Sequence, residues 1–324
     1  MDNSMTFSRS ILDIDIDSEI IRISDFIRDM ALRKFKRRGA VIGLSGGIDS
    51  AVSAELCVRA LGKDRVLVLF LPEKESNPIS LEYGRKQAQK MGIKTIKIDI
   101  SGDLESLKAY EERDAVIKTI FPEFDNTYKF QVTLPQNLLE KDRINYHSLI
   151  IEDSTGNRKS ARISASDWLR ILASQNTKQR IRMIQLYYYA EKNNYIIAGT
   201  TNKTESAQGF YVKFGDGGVD IEPLAHLYKT QVYQLAKGLG VIKEIIDRPP
   251  SPDTYSLPAT DKELYFCLEY ELLDLLIYAY ENKVPIEQVS SVLELTPEQI
   301  RRVFKEIKSK EDATWHLRQM PPTL

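Results

Sequence analysis

Apolar residues along this chain follow a three-to-four-residue period in some stretches and form short continuous or alternating runs in others. Between residues 17 and 38, Ile20, Ile23, Ile27 and Met30 fall on one face, which predicts an amphipathic helix capped by Asp17 or Ser18. Its basic ending, RKFKRR, complements the helix dipole and reads as a solvated last turn. Strand-like and helix-like runs then alternate: AVIGL before DSAVSAELCVRAL, RVLVLFLP before ISLEYGRKQAQKMG, then IKTIKIDI, and later TKQRIRMIQLYYYAEKNN before YIIAGTT. RVLVLFLP is apolar throughout, as expected of a strand covered on both faces. This order predicts an α/β fold with a doubly wound parallel sheet. Ligands of such sheets bind beyond the carboxyl ends of the strands, where SGGIDS, LPEKESNP and GTTNKTE lie.

Residues 104–168 interrupt that alternation. KFQVTLP, INYHSLIIED and RKSARIS read as strands, and STGN as a hairpin turn, so a β-rich insertion is expected there. A flap over the site and a docking surface are both open readings of it. Residues 261–320 read as helical, and Thr296-Pro297-Glu298-Gln299 carries the cap, first-turn proline and return arm of a helix start. The chain, 1–324, reads as one domain with helices flanking the sheet at both ends.

Composition narrows the class. A net charge of −1, with 42% hydrophobic and 28% charged residues, is ordinary for a soluble protein and steers it to neither nucleic acid nor membrane. Any anion site must be local. Cys57 and Cys267 make no disulfide framework and no zinc spacing, which suits a reducing, cytoplasmic setting. The start is polar and acidic rather than a signal peptide, and no apolar run approaches roughly 18 residues. VPIEQVSSVLELTPEQIRRVFKEIKSK superficially resembles a helix-turn-helix, but acids at the start of its second helix would face DNA phosphates.

The SGGIDS turn carries the chemistry. Gly46 and Gly47 allow close approach of the backbone to a ligand, and the helix behind them offers unpaired N–H groups and a positive dipole end. Ser45 and Ser50 add hydroxyl donors, completing a phosphate cradle without a Walker motif. Asp49 would repel phosphate, and makes sense as a ligand of Mg²⁺ bridging to it.

SGGIDS resembles the pyrophosphate loop of the ATP pyrophosphatase superfamily, which has a Rossmann-like fold. Three further stretches resemble the NAD synthetase family, of the ammonia-dependent type: NTKQRIRM (176–183), AGTTNKTESAQGFYVKFGDGGVDIEPLAHLYKTQVYQLAKGLGV (198–241) and RPPSPDTYSLPATDKE (248–263). The resemblance implies that ATP adenylates the carboxylate of nicotinic acid adenine dinucleotide, and that ammonia then displaces AMP to give NAD⁺. It implies that Ser45, Gly46, Gly47, Asp49 and Ser50 hold the pyrophosphate, that Asp49 and Glu205 bind Mg²⁺, and that Thr200, Lys229 and Ser251 meet ATP. Asp49, Glu205 and Lys229 would be catalytic, and Asn176, Arg180, Lys213 and Asp216 would bind the dinucleotide. Taken singly, Lys229 could be a solvated helix charge, Glu205 first-turn support, and Asp216-Gly217-Gly218 only a turn.

The chain departs from the family pattern at Gln179, at Ala259 where a Gln is usual, and in the length of the insertion. These places bear on the acceptor carboxylate, so a paralogue amidating another carboxylate is the alternative; a tRNA-modifying member lacks its paired cysteines here. The chain has no room for the glutaminase domain of glutamine-dependent members, so ammonia is taken free or from a separate glutaminase subunit. The family pairs as a homodimer, and the N-terminal helix suits such an interface or a core equally.

Overall fold

The computed structural model describes residues 6–141 and 145–323. A four-stranded parallel sheet lies at its centre, made of β1 (Ala40–Gly43), β2 (Val66–Phe70), β3 (Lys94–Lys97) and β7 (Ile196–Ile197), in the order β3-β2-β1-β7. Ala40 pairs with both Val66 and Ile196, so β1 is central. Successive side chains of a strand point to opposite faces, and here both faces are buried. Ile42, Val66 and Val68 pack with Ile20, Ile23 and Ile27 of α1 (Ile16–Arg28), Val52 and Leu56 of α2 (Ile48–Leu61), and Val232 and Leu235 of α8 (Lys229–Gly238). Val41, Leu67 and Leu69 pack on the other side with Leu104 of α4 (Ser101–Ser106), Tyr110 of α5 (Ala109–Ile120), and Ile181 and Ala190 of α6 (Ala165–Asn193). Helices on both faces of a parallel sheet make the fold doubly wound.

Several element ends differ from expectation for local reasons. Helix α1 is capped two to three residues earlier than expected, by Asp15, whose carboxylate accepts the Ser18 N–H (3.1 Å) and hydroxyl (2.8 Å). It passes into a wider π-helical turn at Asp29–Lys34 rather than running straight to residue 38. Helix α3 (Pro78–Met91) closes on the left-handed Gly92 as expected, and starts one residue before the expected run, with Asn77 as cap and Pro78 in its first turn. Helix α6 begins at Ala165 behind the cap Ser164, twelve residues before the apolar period becomes visible. Trp168, Leu169, Leu172, Gln175 and Asn176 of its first half line the cleft described below.

Within 104–168, residues 109–120 are helical, and the strands follow them. β4 (Lys129–Thr133), β5 (Ser148–Glu152) and β6 (Arg158–Arg162) form an antiparallel meander. Ile144, the first residue of the INYHSLIIED run, lies outside the described residues. The STGN turn is tied by Asp153, whose Oδ1 accepts the N–H groups of Thr155 (2.8 Å) and Asn157 (2.9 Å). One face of this sheet buries Phe130, Val132, Leu149 and Ile151 against Val116 and Ile117 of α5 and Ile171 of α6. The insertion is thus rooted in the main domain by an apolar face of its own.

The C-terminal helices α10 (Tyr270–Glu281), α11 (Ile286–Leu293) and α12 (Pro297–Ala313) close around Leu276, Val289, Ile300 and Val303. Thr296 and Gln299 form a reciprocal capping box, with Pro297 in the first turn. Asp274 of α10 is fully buried. It accepts the Thr204 hydroxyl (2.6 Å) from α7 (Lys203–Gln208) and the Thr230 N–H (2.8 Å) from α8, and so fixes two helix starts against one another. Cys57 and Cys267 are buried and unpaired. Among the described residues, no helix is long and apolar enough to cross a membrane.

Two outcomes follow from this packing. Phe130 is fully buried at the centre of the insertion's apolar face. Phe130→Ala should lower the unfolding free energy by about 3–5 kcal/mol in urea denaturation, the cost of an aromatic cavity. Burial pushes the Asp274 carboxyl up to about 6. The folded state therefore binds a proton that the unfolded state releases between the ordinary value near 3.8 and 6, so this contribution to stability falls as pH rises through that window. The stability difference between wild type and Asp274→Asn should decline by about 2 kcal/mol from pH 4 to pH 6.5, read from denaturation midpoints.

Candidate active site

The SGGIDS turn joins β1 to α2. Gly46 has φ +78, and a Cβ there would sit 2.1 Å from the Ser80 carbonyl oxygen of α3, so both conformation and space require glycine. The serines shape the turn. The Ser50 hydroxyl accepts the Ser45 N–H (3.2 Å), donates to the Gly47 carbonyl (2.9 Å) and lies 3.0 Å from the Ser45 hydroxyl. Ser45 Oγ also accepts the Gly47 N–H (3.2 Å). The start of the 14-residue α2 therefore faces the space above the sheet with its dipole end.

Above this turn stands Lys229, only 2% exposed. Its Nζ lies 2.5 Å from Asp49 Oδ2 and 3.1 Å from Glu205 Oε1. It is no solvated helix charge. Burial disfavours the ammonium, but the Asp49 and Glu205 carboxylates outweigh it and hold the pKa well above its ordinary value. Burial pushes Glu205 up to about 8; Lys229 opposes the rise, and the neighbouring Asp49 and Asp261 charges add to it. Asp261 is itself buried and accepts the Tyr270 hydroxyl (2.8 Å), while the Tyr270 ring lies 5.2 Å from Lys229 Nζ.

Local folding aims these groups. Glu205 is the return arm of a capping box: Asn202 Oδ1 accepts the Glu205 N–H (3.0 Å), and Glu205 Oε2 accepts the Asn202 N–H (3.2 Å). The Asn202 amide then donates to Asp49 Oδ1 (2.9 Å), linking the turn after β7 to the turn after β1. The reading of Glu205 as helix support and its place beside Lys229 are therefore both true.

A cleft of about 870 Å³ opens over the carboxyl ends of β1, β2 and β7, within the range of small-molecule sites. Ser45, Gly47, Asp49 and Ser50 line its floor with Thr200, Glu205 and Lys229. Gly46 is turned away against Ser80. Ser251 lines one side, and Asn176 and Arg180 of α6 another. Lys213 and Asp216 also line it, yet both are engaged locally. Lys213 Nζ donates to the backbone carbonyls of His316 (3.1 Å) and Gln319 (2.8 Å), and Asp216 Oδ1 accepts the Val212 N–H (2.7 Å) to close its turn. Gln179 packs on that turn, since a Cβ on Gly215 would sit 2.9 Å from its Cβ. Ala259 is buried.

The geometry adds residues that the sequence reading passed over. Arg182 lines the cleft, with its Nε donating to the Leu71 carbonyl (3.1 Å) and its Nη1 to Gln179 Oε1 (3.4 Å). Its desolvation lowers its pKa, offset in part by Glu73, Asp253 and Asp216. It stands in the quoted run RIRM, two residues from Arg180. Asn202 was open to discovery from its three-residue spacing to Glu205. His147 and Trp168 stack at 3.9 Å on the wall nearest the insertion, and burial lowers His147 to about 4. Lys310 and His316 bring the C-terminal segment to the rim.

The NAD synthase family pattern matches residues 19–119 and 108–321. An NH(3)-dependent NAD(+) synthetase of Mesorhizobium japonicum is 42% identical over 311 residues, covering 96% of this chain and 97% of its own. The Thermotoga maritima protein of the same name is 37% identical, covering 86% and 94%. Among solved structures, an NH3-dependent NAD synthetase from Campylobacter jejuni superposes with a TM-score of 0.63 at 23% identity, over 96% of this chain and 99% of that one. An NMN synthetase from Francisella tularensis gives 0.66 at 22%, over the same shares, so both share the fold. Matched by the family pattern over most of its length, and by a relative at 42% identity from end to end, the chain belongs to the NAD synthase family.

Proposed function

We propose that this protein is an ammonia-dependent NAD⁺ synthetase. One observation carries the reading: a buried ammonium, Lys229, clamped between Asp49 and Glu205 directly above a glycine turn and a helix N-terminus. The name shared by relatives matched over 94–97% of their own length supports it.

In this reading ATP lies with its phosphates on the Ser45–Ser50 turn. The carboxylate of nicotinic acid adenine dinucleotide attacks the α-phosphorus, pyrophosphate leaves, and an acyl-adenylate remains. Ammonia adds to the acyl carbon, AMP leaves with the bonding pair, and one proton is lost to give the amide. No protein nucleophile is required. The chain orients the reactants and places positive charge where negative charge develops. Lys229 serves the phosphates and Ser251 adds a hydroxyl. Thr200 faces ATP from the end of β7. Asn176, Arg180, Lys213 and Asp216 serve the dinucleotide, the last two by shaping the wall of the cleft.

Asp49 and Glu205 are carboxylate oxygen donors converging on one cation. That set fits Mg²⁺, which takes one or two carboxylates together with substrate phosphates. Bound there, Mg²⁺ would neutralise phosphate charge and make pyrophosphate a better leaving group.

Purified protein given ATP, Mg²⁺ and nicotinic acid adenine dinucleotide should form NAD⁺, AMP and pyrophosphate with ammonium alone. Turnover with glutamine only after a second protein is added would replace free ammonia by a glutaminase subunit. Pyrophosphate release with nicotinic acid mononucleotide, and none with the dinucleotide, would replace the acceptor. Lys229→Met should reduce kcat/KM by about 10²–10³-fold in the same pyrophosphate assay.

A further inference from the structure

A second buried cation lies away from the phosphate turn and plays no part in the chemistry above. Lys178 of α6 is 1% exposed. Its ammonium makes three contacts, with Glu73 Oε1 (2.9 Å), Glu75 Oε2 (2.8 Å) and the Thr254 carbonyl (2.9 Å). Both carboxylates stand on the loop after β2. Arg113 of α5, also buried, pairs with Glu75 (2.6 Å) and Asp114 (2.7 Å), and the Tyr110 hydroxyl donates to Glu73 Oε2 (2.7 Å). Burial alone would raise the Glu75 pKa, yet Lys178 and Arg113 hold it below its ordinary value, so its charge persists.

The third partner sets this cluster apart from a simple ion pair. Thr254 belongs to the loop that carries Ser251. That loop is held at consecutive points. The Asn77 N–H donates to Asp253 Oδ1 (3.1 Å), Lys178 holds the Thr254 carbonyl, and β4 holds the next residues. There the Phe130 N–H donates to Ser256 Oγ (2.9 Å), and the Leu257 N–H donates to the Phe130 carbonyl (2.9 Å). Asp253 has φ +49, in the left-handed region that aspartate enters more readily than most side chains. The stretch Pro249 to Asp253 lines the cleft, with the Pro250 carbonyl accepting the Asp261 N–H (3.0 Å) and Ser251 Oγ accepting the Asp253 N–H (3.3 Å).

We infer that Lys178 is a positioning residue, pinning the Ser251 loop between the loop after β2 and the inserted sheet so that Ser251 is presented to the ATP phosphates. The inference rests on the reading of Ser251 as a phosphate contact. It also gives the insertion a task, since β4 is the bed on which the far end of the loop lies.

The test combines kinetics and hydrogen exchange on Lys178→Met and Lys178→Arg, with ATP and dinucleotide titrated separately. Lys178→Met should speed exchange at the Ser251, Asp253 and Thr254 amides and raise the ATP KM by about 10-fold, with the dinucleotide KM within about twofold. Lys178→Arg, which keeps the charge, should recover most of both. Unchanged exchange in the loop overturns the inference. So does an equal rise in both KM values, which marks a merely structural cation. Should Lys178→Met not fold, Glu75→Gln removes one anchor of the ammonium and is read by the same split. Ser251→Ala separates the two readings: an unchanged ATP KM there, beside faster loop exchange in Lys178→Met, removes the phosphate role and leaves the pin.

Discussion

Everything at the mouth of this sheet depends on keeping one ammonium charged without water. A lysine as buried as Lys229 would lose its proton in an apolar site. It is kept cationic by carboxylates from two different turns, Asp49 after β1 and Glu205 after β7. Those two strands are neighbours in the sheet, so the ion cluster is a lock across adjacent strand ends. The lock is reinforced from behind by Asp274, which ties the starts of α7 and α8, the helices bearing Glu205 and Lys229. Removing one member of such a cluster leaves the others buried and uncompensated, at a cost of several kcal/mol. The cation so held is preorganised, its position and charge set by the fold rather than by a ligand.

The second cluster obeys the same electrostatics toward a different end. Lys178 also satisfies two carboxylates, but its third bond goes to a backbone carbonyl, which is a geometric restraint rather than a charge balance. Through it and the Phe130 hydrogen bonds, the antiparallel insertion is coupled to the cleft of the parallel sheet. The aromatic contact agrees, since Tyr255 meets the Phe130 ring edge-on at 5.5 Å. An insertion that packed only on its own helix would have no such reach.

Much of this was legible in the sequence, for identifiable reasons. Buried strands of a parallel sheet are uniformly apolar, so AVIGL and RVLVLFLP stand out, and SGGIDS between the first strand and its helix marks the turn that forms the floor of the cleft. Helix α6 was half hidden. Its first twelve residues include Gln175 and Asn176, polar positions that line the cleft and interrupt the apolar period. Residues 109–120 were read into the β-rich excursion because α5 carries Glu111, Glu112, Arg113 and Asp114 in its first turns, and Arg113 is buried by ion pairs that periodicity cannot see. Strand β7 is shorter than YIIAGTT suggests: pairing with β1 ends at Ile197, and Ala198 bridges to Ile221 instead.

The ambiguous side chains divide along one physical line. Lys229 and Lys213 are both lysines near the cleft, and neither could be told from a solvated charge by its spacing. Lys229 is ringed by carboxylates, which hold its positive charge beside the phosphate turn. Lys213 is capped by backbone carbonyls, which spend its donors on fastening the C-terminal segment to the rim. Asp216 likewise spends an oxygen on its own turn. Partner type therefore separates a lysine locked between the carboxylates of two turns from a lysine that fastens backbone at the rim. A sequence motif names both kinds together because both are needed for one cleft. Only the contacts show which lysine is held by opposite charge and which by backbone dipoles.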